Sequence, residues 1–141
     1  MERQICDKVD LSKIKVDDDI KLSMLLDEQR RLMKVIGVRL GLKELIEHNW
    51  DNDTKTKWLL KMLDCLHSEI EEFRDGLKWK HWKEYKDYSF EKELPELKYE
   101  AVDMLHFLLE IFIFLEMTPT EIGKYYLSKN QQNQERQANG Y

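Results

Sequence analysis

The chain has 141 residues, a net charge of -5, and 42% apolar against 36% charged residues. That length carries one domain with a useful core and not two, and the acidic balance excludes general binding to nucleic acid or to an acidic membrane surface. With 5 glycines and 2 prolines, long helices are easy to build and tight-turned β architecture is not.

Residues 1–19 show no clear period and close on Asp17, Asp18 and Asp19, which reads as a mobile or loosely docked arm. From Ile20 to about Gly37 the apolar residues Leu22, Leu25, Leu26, Leu32, Met33 and Ile36 recur at helical spacing. Gln29 lies inside this helix, and by itself reads as a solvated glutamine. Gly37 and Gly41 loosen the chain before a short segment, Lys43 to His48, and NWDNDT supplies turn residues with Asp53 or Thr54 as the N-cap. The second main helix runs to about Asp75. Trp58, Leu59, Met62, Leu63, Leu66, Ile70 and Phe73 form its apolar stripe, and Gly76 stops it.

The segment LKWKHWKEYKDYSFEKEL is dense in aromatics and lysines and reads as a loop. Such a mixture suits a nucleotide, whose base stacks on indole while lysines face phosphate; packing of Trp79 and Trp82 over helix ends is an equal alternative. Pro95 is expected to open the third helix, which continues to about Glu116 and is apolar on nearly all sides from Met104 onward. So apolar a helix calls for cover from a second copy of the chain. Its apolar run is broken by His106 and Glu110 and is too short to span a bilayer. Thr118, Pro119, Thr120 and Glu121 form a capping box, and the last helix runs into SKNQQNQERQANGY, by composition a frayed end. Cys6 and Cys65 fit no disulfide or metal spacing and read as reduced thiols; with the charged start MERQICDKVD they indicate a cytoplasmic protein.

The chemistry concentrates in two acidic pairs. Glu69 and Glu72 lie on the second helix, and Glu100 and Asp103 on the third. Three-residue spacing sets each pair side by side on one helix surface, next to Ile70 and Phe73 or to Val102, Leu105 and Phe107. Four carboxylates beside a core repel one another unless a cation offsets them, and Mg2+ takes carboxylate oxygens together with substrate phosphate. One such pair is weak as a signal, since acidic residues three apart are common on solvated faces. Two pairs on successive helices are much less common. His106 reads as a packing histidine beside the site, because no second histidine stands at ligand spacing.

ExxE followed by ExxD on successive helices resembles the all-α nucleoside triphosphate pyrophosphatases, which include the MazG-type enzymes and the dimeric dUTPases. Lys129, Asn130, Asn133, Arg136, Gln137, Gly140 and Tyr141 resemble the tail signature of the dimeric dUTPases. The stretch Trp79 to Lys83, ELKYEAVDMLHF and GKYYLSKN are similar to segments of phage-type dCTP/dUTP pyrophosphatases. The likeness covers most of Leu25 to Tyr141. It implies an all-α bundle of four main helices, homodimeric, with Glu69, Glu72, Glu100 and Asp103 as Mg2+ ligands. It further implies that Lys129, Asn133, Arg136 and Tyr141 grip the phosphates and that Gln29 contacts the base, with Trp82 and Trp79 against it. Phe107, with His106 beside it, would pack on the deoxyribose.

The expected activity is Mg2+-dependent hydrolysis of dUTP to dUMP and pyrophosphate, with Glu69 or Glu72 accepting the proton of the attacking water. A dCTP or dual dCTP/dUTP activity is the runner-up, because one glutamine can present either its oxygen or its amine to a pyrimidine edge. A silent helical interaction module is the alternative of another class, and it leaves both the tail and the matched acidic pairs unexplained.

Overall fold

Among the described residues a single 3₁₀ turn, Leu11–Lys13, precedes five α-helices: α1 (Leu22–Leu40), α2 (Lys43–Ile46), α3 (Asn52–Asp75), α4 (Phe90–Phe114) and α5 (Pro119–Ala138). The computed structural model describes residues 10–15 and 19–140. Most of the expected N-terminal arm, with Cys6, and the terminal Tyr141 lie outside the described residues. The expected all-α class holds, with four long helices and α2 as the short segment between the first two.

In α1 the buried residues Leu26, Gln29, Met33 and Gly37 step three or four apart along one stripe. Gln29 is therefore on the core side and not in solvent. Gly41 ends the helix at φ 68, the left-handed conformation that glycine adopts without strain. Gly37 has a different task. A Cβ there would stand 2.9 Å from the Leu42 carbonyl oxygen, the Leu45 Cβ and the Ile46 Cγ1, so α2 folds back directly onto its backbone. Gly37→Ala should therefore destabilise the fold by about 1–3 kcal/mol, because backbone and Cβ atoms must move to admit the methyl. A fall in the urea midpoint at constant slope would show it; an unchanged midpoint would mean that α2 yields freely.

Two helix starts differ from the sequence-based expectation. Asp51, not Asp53 or Thr54, caps α3: its carboxylate accepts from the Thr54 amide at 2.7 Å, so Thr54 supplies the donor. That amide bond holds the Asp51 carboxyl below the usual carboxylate range. And α4 begins at Phe90, leaving Pro95 inside the helix. Proline removes one backbone bond there, but the first turn is already closed by the Lys92 and Glu93 amides on the Ser89 carbonyl. Glu91 and Glu93 in that turn also suit the positive end of the helix dipole. At α5 the capping box forms as expected, with the Thr118 hydroxyl accepting from the Glu121 amide and the Glu121 carboxylate from the Thr118 amide.

Helices α3 and α4 run antiparallel as the central hairpin, and α1 packs across α4. Phe114 is wholly buried, with the Trp50 ring 4.6 Å away and Trp58 stacked at 5.7 Å. Leu26, Met33, Met62, Leu109 and Ile113 complete this core. From the Trp58–Phe114 contact, about three turns along both helices bring Glu69 opposite Asp103. The hairpin register thus sets the acidic pairs face to face. In contrast, α5 buries no residue, and Tyr125, Tyr126 and Leu127 stand open to solvent. No helix among the described residues is long and apolar enough to cross a membrane.

Candidate active site

Glu69 of α3 and Glu100 and Asp103 of α4 bring carboxylate oxygens within 4.8 Å of one another. Glu100 is buried and the other two are half-buried. Burial first, then the charges of Glu72, Asp103 and Glu100, push the Glu69 carboxyl above its ordinary range. Glu72 stands farther out and borders the same opening, a cavity of about 420 Å³ that Leu32, His106 and Phe107 also line. An all-carboxylate donor set crowded enough to resist its own ionisation fits a hard divalent cation, which bonds oxygen and cancels the repulsion.

A second cavity of about 280 Å³ adjoins the first, with His106 in the wall of both. Its lining is mainly apolar, from Leu25, Val102, Leu105 and Leu109, with Glu28 and Gln29 as polar groups. The Gln29 amide is 3% exposed and doubly engaged. Its Nε2 donates to Glu110 Oε2 at 3.3 Å, and its Oε1 lies 2.7 Å from His106 Nδ1. Burial pushes the Glu110 carboxyl up to about 7, partly offset by the Gln29 amide. An acidic opening thus sits beside a largely apolar cleft with a fixed amide in its wall.

The other sequence-derived candidates lie elsewhere in the single chain. Trp79 packs over the end of α3: its indole N–H donates to Asp75 at 3.0 Å and the Arg74 guanidinium stacks 3.8 Å from its ring centre. Trp82 makes edge contacts with Trp79 and His81 and is 68% exposed. Neither tryptophan lines the two cavities. Lys129, Asn133 and Arg136 are exposed on α5, and Arg136 borders a separate surface groove with Gln132, Glu135, Asn139 and Gly140. Tyr141 lies outside the described residues.

Sequence reasoning missed Glu110, which it had read only as a break in an apolar run. The signal was present: an acid within LLEIFIF, four residues after His106 and seven after Asp103, shares their helix face. It also missed Leu32 as part of the acidic opening.

A dCTP pyrophosphatase of Enterobacteria phage T4 is 32% identical, the alignment covering 89% of this chain and 85% of that protein. A dCTP pyrophosphatase of Enterobacteria phage LZ5 is 31% identical over 85% of this chain and 82% of its own length. A DNA replication protein of phage T4 is 30% identical over 81% of this chain, but the match spans only 34% of that longer protein. No solved structure matches. The family model described as dUTPase matches residues 21–118, a span that runs from α1 through both acidic pairs to the cap of α5. The chain belongs to the dUTPase family.

Proposed function

We propose that this protein hydrolyses pyrimidine deoxynucleoside triphosphates to the monophosphate and pyrophosphate, using Mg2+ held by Glu69, Glu100 and Asp103 with Glu72 at the rim. The observation that carries this reading is the convergence of three carboxylates beside a mostly apolar cleft that has a buried amide in its wall. The triphosphate would lie at the acidic opening and the base in the cleft, with His106 and Phe107 between them. The sequence-based preference was for dUTP. The names of the phage relatives favour dCTP as the first substrate, with dUTP second.

When bound, Mg2+ supplies charge neutralisation at the phosphates and a more acidic water. The protein's own groups do the rest. Glu69 accepts the proton of the attacking water, from its place on α3 opposite Glu100 and Asp103. Gln29 borders the base in the wall of the cleft, and Phe107 occupies the space beside the sugar where a 2′-hydroxyl would lie. Lys129, Asn133 and Arg136 would grip the departing phosphates from the α5 of a second copy. A homodimer is supported by the exposed Val102, Leu105 and Leu108 on α4 and by Tyr125, Tyr126 and Leu127 exposed on α5.

Pyrophosphate release should be measured across the common NTPs and dNTPs, with Mg2+ and with chelator. Release confined to pyrimidine deoxynucleotides in Mg2+ is expected, and a silent or purine-directed protein would end the reading. In the same assay Phe107→Ala should erode the preference for dCTP over CTP by about tenfold or more, the order expected when close packing against one group is lost. An unchanged ratio would remove Phe107 from sugar selection.

A further inference from the structure

We propose that Glu110 is a positioning residue that sets which pyrimidine the cleft accepts, by fixing the direction of a hydrogen-bond chain that runs from Glu110 through Gln29 to His106. The inference rests on the base-binding reading above and adds to it a choice between two bases.

With one proton on the imidazole and every buried O–H and N–H paired within it, the chain has two self-consistent directions. In the arrangement described, the Gln29 amine donates to the Glu110 carboxylate and the Gln29 carbonyl oxygen faces His106 Nδ1 at 2.7 Å. That oxygen can only accept, so a singly protonated imidazole must carry its proton on Nδ1, and Nε2 is left as an acceptor. Protonating Glu110 reverses every step. The new O–H donates to the Gln29 oxygen, the amide turns end for end, and its amine donates to Nδ1. The imidazole proton then moves, through solvent, from Nδ1 to Nε2. Glu110 has gained one proton, the ring still holds one, and the number of hydrogen bonds is unchanged. The Glu110 end is decisive because Gln29 and Glu110 are 3% and 7% exposed, so water cannot substitute for a partner lost between them, whereas His106 is exposed.

Cytosine and uracil differ in the same sense. Cytosine presents an exocyclic amine, a donor, where uracil presents a carbonyl oxygen. His106 borders both cavities, so an accepting Nε2 suits the cytosine amine and a donating one suits the uracil oxygen. Charged Glu110 therefore selects cytosine, and protonated Glu110 selects uracil. Groups on three helices bear on Glu110. From α1 there is the Gln29 amide, from its own helix His106, and from α3 the Cys65 thiol, which burial and then the charge of Glu110 hold above its ordinary range. The Glu110 carboxyl, raised by burial to about 7, gives both directions a population near neutrality.

The test measures kcat/KM for dCTP and dUTP between about pH 6 and about pH 8 at saturating Mg2+, in the wild-type protein and in Glu110→Gln. Ring-nitrogen NMR of His106 is recorded on the same nucleotide-free proteins. Titrations common to both substrates cancel in the dCTP to dUTP ratio. In the wild type that ratio should climb about tenfold or more with pH, the size expected when a buried donor meets a donor instead of an acceptor. The His106 proton should pass from Nε2 to Nδ1 over the same range. Glu110→Gln, isosteric and unable to titrate, should fold and lose both changes. A flat wild-type ratio, or a slope that survives in Glu110→Gln, overturns the proposal. If neither nucleotide is hydrolysed, the substrate reading fails and the ring spectra alone decide: an exchange lost in Glu110→Gln upholds the relay, and no exchange overturns it.

Discussion

Glu69→Gln should cut pyrophosphate release on the order of 10³-fold, comparable to deleting a single electrostatic group at other reacting centres, and should raise the melting temperature of the metal-free protein. The two effects have one cause. Burial and the charges of Glu72, Asp103 and Glu100 all oppose ionisation of Glu69, so the folded state holds its charged form at a cost. A carboxyl raised in this way favours folding fully below its unfolded value, and the benefit is lost as pH rises through the folded value. At neutral pH the glutamine variant carries no such penalty. Glu110 acts in the same sense, losing its contribution between 4.5 and about 7. Metal-free wild-type protein should therefore melt at progressively lower temperature across that window, and added Mg2+ should restore stability in the wild type more than in Glu69→Gln. Melting curves in chelator and in Mg2+, paired with the release assay, check both halves. Near-normal turnover in the variant would remove Glu69 from the centre.

Phe114→Ala should cost about 3–5 kcal/mol, a large share of the stability of a domain this size. Phe114 is 0% exposed and is gripped on two sides, by Trp50 at 4.6 Å and Trp58 at 5.7 Å. Neither indole can collapse easily into the gap. Trp50 is tethered by its N–H to the Glu44 carbonyl at 2.7 Å, and Trp58 is fixed within α3. The loss should appear as a lowered urea midpoint with little change in slope. A cost under about 1 kcal/mol would mean that the aromatic cluster repacks and does not lock the hairpin.

Much of this architecture could be read from residue spacing. The α3 stripe through Trp58 and Met62, the Gly76 stop and the Thr118 to Glu121 box each depend on local chemistry, and each lies where the spacing put it. The acidic pairs were legible for the same reason, since a three-residue step on a helix fixes relative direction. What spacing does not carry is which groups meet across helices. Gln29 looked like a solvated residue because its neighbours are charged, yet it turns inward to Glu110, 81 positions away. The start of α4 was also hidden. Phe90 to Leu94 sit in a run too charged to show a period, and proline at 95 looked like a beginning because its cost inside a helix is normally prohibitive. The tail is the opposite case. Its signature residues are legible in sequence, while α5 alone gives them no neighbours in the core.

The four tryptophans fall into two optically separable classes. Trp50 and Trp58 are sealed against Phe114, away from water, and should emit toward the blue until the chain unfolds. Trp82 is largely in solvent and Trp79 lies under a guanidinium at the end of α3, in the turn that follows the acidic helix. Their red-edge emission would respond to rearrangement of that turn while the blue component stayed constant. The fold thus contains its own paired fluorophores, one set reporting integrity of the hairpin and the other reporting events at its mouth, with no label required.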